Sequence, residues 1–494
     1  MIALSLALSL APAPLFPAQD GLDWSPEKRT IHESLPALRD DLTAVSRRVW
    51  EWAELALTEH RSSEALANML LHSGFRVESG ISDMETAWVA SYGEGEPVVA
   101  FLAEFDALPS LSQTATPQIE ARVPGEGGHG CGHNLFGAGS VGAGLLLKLA
   151  MEAHDLPGTI RVFGTPAEEH GIGKVFLVRD GWFDDVDVCL SWHPSNENEV
   201  SLQPSKALRS FEVTFYGRSA HAAGAPWEAV SALDAVEAFE TGINLLREHM
   251  PESARIHYVV TNGGEAPNVV PNEASVWLFT RGADWPEQER VYQHVLKIAE
   301  GADLMAWGEE HGDAAAGYRA PLVQNYTGLY HYNPNELVAR VMHSNLELVG
   351  PAAYTEAEHD FARELQAAFG LEPSGYHTAV APFDPNAAPE PGGSTDVANI
   401  SWVCPTIDLN VACWPENVPA HSWASTAASG APGGFRGMWT AAEVLACTGV
   451  DFLLDGALIG AAQHEFEQSS ASFPYVSPVG PEDRPSLPTS MRPE

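Results

Sequence analysis

Apolar positions recur at three- and four-residue steps from residue 34 to residue 72, through Leu35, Leu38, Leu42, Val45 and Val49 and on to Leu66, Met69 and Leu70, so this stretch is expected to be helical. Apolar runs with strand character follow at 87–91, 97–103, 159–164 and 186–191, with a helix rich in small residues between them at 135–151. Strands alternating with helices point to an α/β sheet, which binds ligands beyond the carboxyl ends of its strands. From Leu208 the rhythm changes. R-S-F-E-V-T-F-Y-G alternates like a half-buried strand, and a helix at 230–247, strands at 254–261 and 274–281 and a helix at 285–305 complete a β-α-β-β-α unit. This reads as a smaller α+β domain over 206–324, inserted between residues 21–205 and 325–494 of a larger one. Beyond it, 382–393 is expected to be loop, 400–409 a strand, 436–445 and 457–466 helices, and the Pro-rich, charged tail from Ser477 loose.

Composition narrows the partners. The 494 residues are 45% hydrophobic and 19% charged, a globular and multidomain composition. Asp and Glu number 66 against 26 Lys and Arg, a net charge of -40 that repels phosphate backbones and anionic lipid, so neither nucleic acid nor membrane is an expected partner. An acidic surface with so few lysines reads as strongly hydrated and adapted to salt. Stability should therefore rise in molar salt, where the screening length shrinks to about 3 Å, and a lower Tm there than in dilute buffer would refute this. The odd number of cysteines (Cys131, Cys189, Cys404, Cys413, Cys447) makes no disulfide framework, leaving reduced thiols or ligands. Residues 1–20 are an apolar stretch ending in small residues with no preceding Lys or Arg, either an export signal or a disordered extension, so the protein is expected to be cytoplasmic or exported. No other segment holds the ~18–20 uninterrupted apolar residues of a membrane helix.

Gly137-Ala-Gly-Ser-Val-Gly142 spells a dinucleotide fingerprint, but no strand precedes it, so its small residues are expected to serve close helix packing. Four other clusters carry chemistry. Gly128-His-Gly-Cys-Gly-His-Asn134 offers Cys131 and His133, with His129 beside them, on flexible glycine backbone. Gly164-Thr-Pro-Ala-Glu-Glu-His170 places Glu168 and Glu169 just past a strand, where one carboxylate can bind metal and the other move a proton. His193 closes another strand-like run, and His421 follows a Pro-rich loop. Thiolate, imidazole and carboxylate donors at successive strand ends suffice for two divalent ions with an open position for water.

These blocks resemble the M20 metallopeptidase and amidohydrolase family, and within it the branch that cleaves p-aminobenzoyl-glutamate. F-L-A-E-F-D-A-L-P (101–109), G-H-G-C-G-H-N (128–134), G-T-P-A-E-E (164–169), W-H-P (192–194), G-R-S-A-H-A-A (217–223), A-P-N-V-V-P (266–271), G-G-S-T-D-V (392–397) and His421 run in the family's order. The resemblance implies a zinc-peptidase-like catalytic domain, a mixed sheet flanked by helices, with an inserted α+β lid and dimerisation domain. It implies two zinc or manganese ions on Cys131, His133, Glu169, His193 and His421, with Glu168 as general base and Asp106 orienting a ligand. Many relatives have His-x-Asp where this chain has Glu104-Phe-Asp106, which leaves a metal role for Glu104 in doubt. His221 matches a lid histidine that reaches the partner subunit's site and polarises the scissile carbonyl. Asn268 and Arg281 match a pair that grips a substrate carboxylate.

The chemistry of the residues agrees. Amide hydrolysis needs an activated water, a carboxylate to carry its proton and a dipole against the oxyanion. Arg281 could hold a carboxylate in bidentate fashion, or form a salt bridge with one of many acids. The expected activity is metal-dependent hydrolysis of an N-acyl or N-aroyl amino acid by metal-activated water. The alternatives are a dipeptidase acting on, for example, β-alanyl dipeptides, and a non-catalytic metal- or amino-acid-binding relative. A homodimer through the lid is expected, and a heteromer with a homologous second chain is conceivable.

Overall fold

A computed structural model describes residues 24–308, 319–388, 392–471, 473–488 and 491, so the expectation for residues 1–20 lies outside the described residues. Helix α1 (Pro26–Trp52) starts where Ser25 accepts the Lys28 N–H and Pro26 presets the first turn, and it buries Ile31, Leu35, Leu42, Val45 and Val49. The helix expected to run on to residue 72 stops at Ala53, whose φ of 44° is left-handed. Glu54 then accepts the N–H and hydroxyl of Ser62, starting a second helix, α2 (His60–His72). The apolar spacing persists across this break because both helices face one core, which the pattern alone could not separate.

The large sheet begins with β1 (Arg76–Ser79), β2 (Trp88–Glu94) and β3 (Val98–Ala103), followed by α3 (His133–His154), β4 (Gly158–Gly164), α4 (Gly173–Arg179), β5 (Val188–Ser195) and β6 (Glu199–Val200). The second sheet's unit follows as β7 (Ala207–Tyr216), α5 (Ala232–Arg247), β8 (Arg255–Asn262), β9 (Glu273–Gly282), α6 (Trp285–Trp307) and β10 (Leu322–Leu329). The chain then returns through α7 (Glu336–Val349), α8 (Glu356–Phe369), α9 (Val397–Ile400), β11 (Thr406–Ala412), α10 (Trp423–Ser429), α11 (Pro432–Leu454) and α12 (Gly456–Ser470). The large sheet has the order β1-β2-β4-β3-β5-β11-β6. Its four central strands β4, β3, β5 and β11 run parallel, and the outer ones pair antiparallel. The second sheet, β10-β7-β9-β8, is wholly antiparallel and shares a core with α5 and α6, built from Phe211, Val213, Val276, Phe239 and Val295. Its strand β10 straddles the expected boundary at residue 324.

Two further expectations are corrected, and one silent stretch is filled. The strand expected at 400–409 begins only at Thr406, because α9 and the turn before Pro405 occupy its first half. Helices α7 and α8 fill a stretch that carried no expectation, α8 being started by a Thr355–Glu358 capping box. The tail from Ser477 is anchored: Val479 is buried, and Arg179 donates to the carbonyl of Asp483 at 2.6 Å.

Helices α3 and α11 are long and apolar enough to cross a bilayer, yet 89% and 83% of their apolar windows are buried inside the fold. The glycines of α3 explain its place at the centre. A Cβ on Gly137 would stand 2.6 Å from the carbonyl of Glu104, and one on Gly139 2.6 Å from the Trp192 ring, so the bare backbone packs directly on the sheet. Gly139→Ala should therefore destabilise by about 1–3 kcal/mol through overpacking, the opposite sign to an exposed helical site; urea denaturation reads it, and a stabilised variant would contradict the packing.

Candidate metal centre and active site

The parallel strands deliver chemistry to one end of the large sheet, as open α/β sheets do. Glu104 and Asp106 follow β3, Glu168 and Glu169 follow β4, His193 lies near the carboxyl end of β5, and the loop after β11 leads to His421. Cys131 and His133 come from the glycine loop opening α3. There Gly132 adopts a φ of 76°, and a Cβ on it would also stand 2.9 Å from Pro194, so only glycine fits. Ala167 takes the same left-handed backbone without that excuse, at φ 59°, and its N–H is held by Glu59 at 3.0 Å. This turn sets the directions of the two carboxylates that follow.

All five expected ligands converge. Cys131 Sγ is 3.4 Å from His193 Nε2 and 3.3 Å from His421 Nε2, which is 3.5 Å from Glu169 Oε2. The donor atoms of Cys131, His133 and His193 lie within 4.8 Å of one another, as do those of Cys131, Glu169 and His421, so the thiol stands where one ligand can serve two ions. Asp106, buried, meets His133 Nδ1 at 2.9 Å with one oxygen and accepts the Glu169 N–H at 3.0 Å with the other. Its grip on Nδ1 leaves Nε2 of His133 as the ligating atom. His193 is oriented likewise, its Nδ1 being 2.7 Å from the Pro194 carbonyl. His129, the other imidazole of the glycine loop, turns away and bonds the Val49 carbonyl at 3.0 Å.

The electrostatics call for cations. Burial, and after it the charges of Glu104 and Asp396, hold Glu168 well above the usual carboxylate range, and burial with neighbouring Asp106 and Glu104 pushes Glu169 up to about 8. Burial raises the Cys131 thiol as well and drops His193 to about 3, a neutral imidazole suited to ligation. Burial also opposes charge on His133, yet Cys131, Glu104 and Asp106 around it carry its pKa well above the ordinary value. Buried atoms without hydrogen-bond partners face the same space: Glu104 Oε2, His133 Nε2 and Glu169 Oε1. A mixed thiol, imidazole and carboxylate set with surplus negative charge and unpartnered donors fits divalent ions of the zinc and manganese type.

Several residues here were not singled out from the sequence. Lys174, fully buried, bonds Glu104 Oε1 and Asp396 Oδ1, both at 2.6 Å, and donates its backbone N–H to Asp396 Oδ2 at 3.0 Å. One of only five lysines, it sits in the apolar run G-K-V-F-L-V, a signal that the charge is buried and paired. Asp396 lies within the 392–397 block. Glu59, by contrast, has no local signature; burial and Asp106 push it up to about 8.

The three residues expected from the smaller domain do not join the cluster. His221 and Asn268 are exposed on adjoining loops, where His221 bridges to Val269 and the Ala222 N–H donates to the Asn268 carbonyl at 3.0 Å. His221 Nδ1 accepts from the N–H groups of Ala223 and Gly224, at 3.2 and 3.1 Å, so its Nε2 carries the proton. Arg281 donates to Ser394 Oγ at 3.1 Å, two residues before Asp396.

Residues 100–422 match the peptidase family M20/M25/M40, and the chain belongs to this family of amide-bond hydrolases. Its relatives include the B-type subunit of the p-aminobenzoyl-glutamate hydrolase of Escherichia coli, 34% identical over 93% of this chain and 98% of that protein. The Xaa-Arg dipeptidase of Mus musculus is 29% identical over 91% of this chain and 95% of its own length. Among solved structures, a dinuclear metal-binding peptidase of the M20 family from Bacillus subtilis has the same fold, with a TM-score of 0.53 at 19% identity, covering 85% of this chain and 99% of that one.

Proposed function

We propose that the chain is a dimetal amidohydrolase that cleaves an N-acyl or N-aroyl amino acid with a free carboxylate, of which p-aminobenzoyl-glutamate is the test compound. The observation that carries this reading is the convergence of Cys131, His133, Glu169, His193 and His421 beside a further carboxylate, Glu168, whose Oε2 lies 3.8 Å from His133 Nε2. The Escherichia coli relative supports the substrate class. Two divalent ions, zinc or manganese, would be held by those five residues and would supply Lewis acidity.

The remaining work falls to side chains. Glu168 takes a proton from the attacking water and returns it to the amide nitrogen, so that the C–N bond breaks to a carboxylate and an amine. Asp106 keeps His133 in one tautomer, and Glu59 holds the Ala167 turn that aims Glu168. His221, with its proton on Nε2, suits an oxyanion partner, and its exposed position outside this chain's donor clusters supports supply in trans, through a dimer formed by residues 206–324. A homologous second chain could fill the same place, since the Escherichia coli relative is itself one subunit of its enzyme. Arg281 and Asn268 are the carboxylate anchors, which offsets the chain's overall negative field locally.

The similarity to the Xaa-Arg dipeptidase favours one competing reading, a dipeptidase. Initial rates of the zinc- or manganese-supplemented protein on p-aminobenzoyl-glutamate, acyl-aspartates, β-alanyl dipeptides and Xaa-Arg dipeptides decide between them. Preference for p-aminobenzoyl-glutamate or an acyl-aspartate is expected, preference for dipeptides would replace the proposal, and hydrolysis of none would overturn it. Arg281→Ala should raise KM for carboxylate substrates by about 10–100-fold, the worth of a charged hydrogen bond, and an equal effect on a carboxylate-free amide would remove the anchor.

A further inference from the structure

Glu104 stands where the resemblance leaves its role in doubt, and its surroundings are specific. The side chain is 1% exposed. Lys174 binds Oε1 at 2.6 Å and thereby fixes the carboxylate plane. The other oxygen, Oε2, has no hydrogen-bond partner and lies 3.1 Å from His133 Nε2, which has none either. The two atoms face each other without hydrogen-bond alignment. Neither atom satisfies the other, and together with a carboxylate oxygen of Glu168 they form a set of donor atoms all within 4.8 Å of one another, close enough to surround one ion. Two donors on one zinc-like ion, each about 2.0–2.2 Å from it, stand roughly 3 Å apart, which is the spacing found here. Lys174 cannot meet this need, because Asp396 claims the same ammonium and one positive charge is shared by two buried carboxylates.

We propose that Glu104 Oε2 is a sixth protein ligand of the dimetal centre, sharing an ion with His133, while Lys174 clamps the other oxygen of the same carboxylate. The proposal rests on the dimetal reading above. It gives the Glu104–Lys174–Asp396 network a positioning role, in which Lys174 presents a carboxylate already oriented to one ion and Asp396 anchors Lys174 through both side chain and backbone.

The test uses the full chain, stripped by chelator and reloaded with zinc or cobalt(II) chloride. X-ray absorption and a crystal structure of the zinc-loaded wild type are expected to place Glu104 Oε2 at about 2.0–2.2 Å from one ion. Two bound ions with Glu104 beyond contact of both overturn the proposal and leave the dimetal reading standing, whereas no bound ion in the wild type overturns both. Glu104→Gln keeps the volume and an acceptor for Lys174. It is expected to weaken binding of one metal equivalent by more than about a hundredfold, beyond the range for residues behind the ligands, with the other equivalent unchanged and the visible spectrum of its cobalt form altered. Unaltered affinities and spectrum in a variant that melts like the wild-type apo-protein count against the proposal. A variant that does not fold leaves the decision to the wild-type metal distances.

Discussion

Glu168→Gln should lower turnover by about 10²–10⁴-fold, the usual worth of a positioned general base, while the divalent-ion content stays at the wild-type level. Glutamine preserves the shape of the side chain and removes only its ability to accept a proton. Glu168 follows the left-handed turn at Ala167 and is mostly buried, with its Oε2 3.8 Å from His133 Nε2, so its position is set by the loop after β4. The loss should fall on kcat with little change in KM, since the group acts on the transferring proton and not on substrate binding. Chelation of the wild type should take activity down to background, with recovery on adding zinc or manganese identifying the working ion. An E168Q variant within a few-fold of wild-type turnover would remove Glu168 as the base.

Lys174→Met should cost about 3–5 kcal/mol of stability, the penalty of breaking a buried ion pair from one side. Methionine fills nearly the same space, but it strands two carboxylates, Glu104 and Asp396, in an interior that gives neither of them access to water. Both are held above the usual carboxylate range even with Lys174 present, burial being the largest cause, and Glu104 reaches about 7. Such a loss is a large fraction of the ~5–15 kcal/mol that keeps a domain folded. Urea denaturation of the metal-free protein measures it, and a change below about 1 kcal/mol would show that the ammonium does not hold this network together.

Much of the large sheet was legible because its signals are local. Runs such as Val98–Ala103 and Gly158–Gly164 announce central strands by continuous apolar character, and the polar residues after them announce the site. The break at Ala53 was not legible, since one core-facing spacing spans both helices. Nor was the late start of β11, where Ile400 and Trp402 are as apolar as a strand but sit in a helical turn packed beneath it.

The ligand types and their order were determined by the sequence alone: thiol, imidazole and carboxylate at successive strand ends, glycine where Cys131 and His133 must bend inward. Only the tertiary structure decided which of them meet. Cys131 and His421 are 290 residues apart, and Lys174 and Asp396 are 222 apart, so their contacts exist because parallel strands bring distant loops to one end of the sheet. Charge pairing in an interior depends on what else has been excluded from water, a property of the packed fold and of no single segment. For that reason Glu59, Lys174 and the inward oxygen of Glu104 emerge only when the chain is folded.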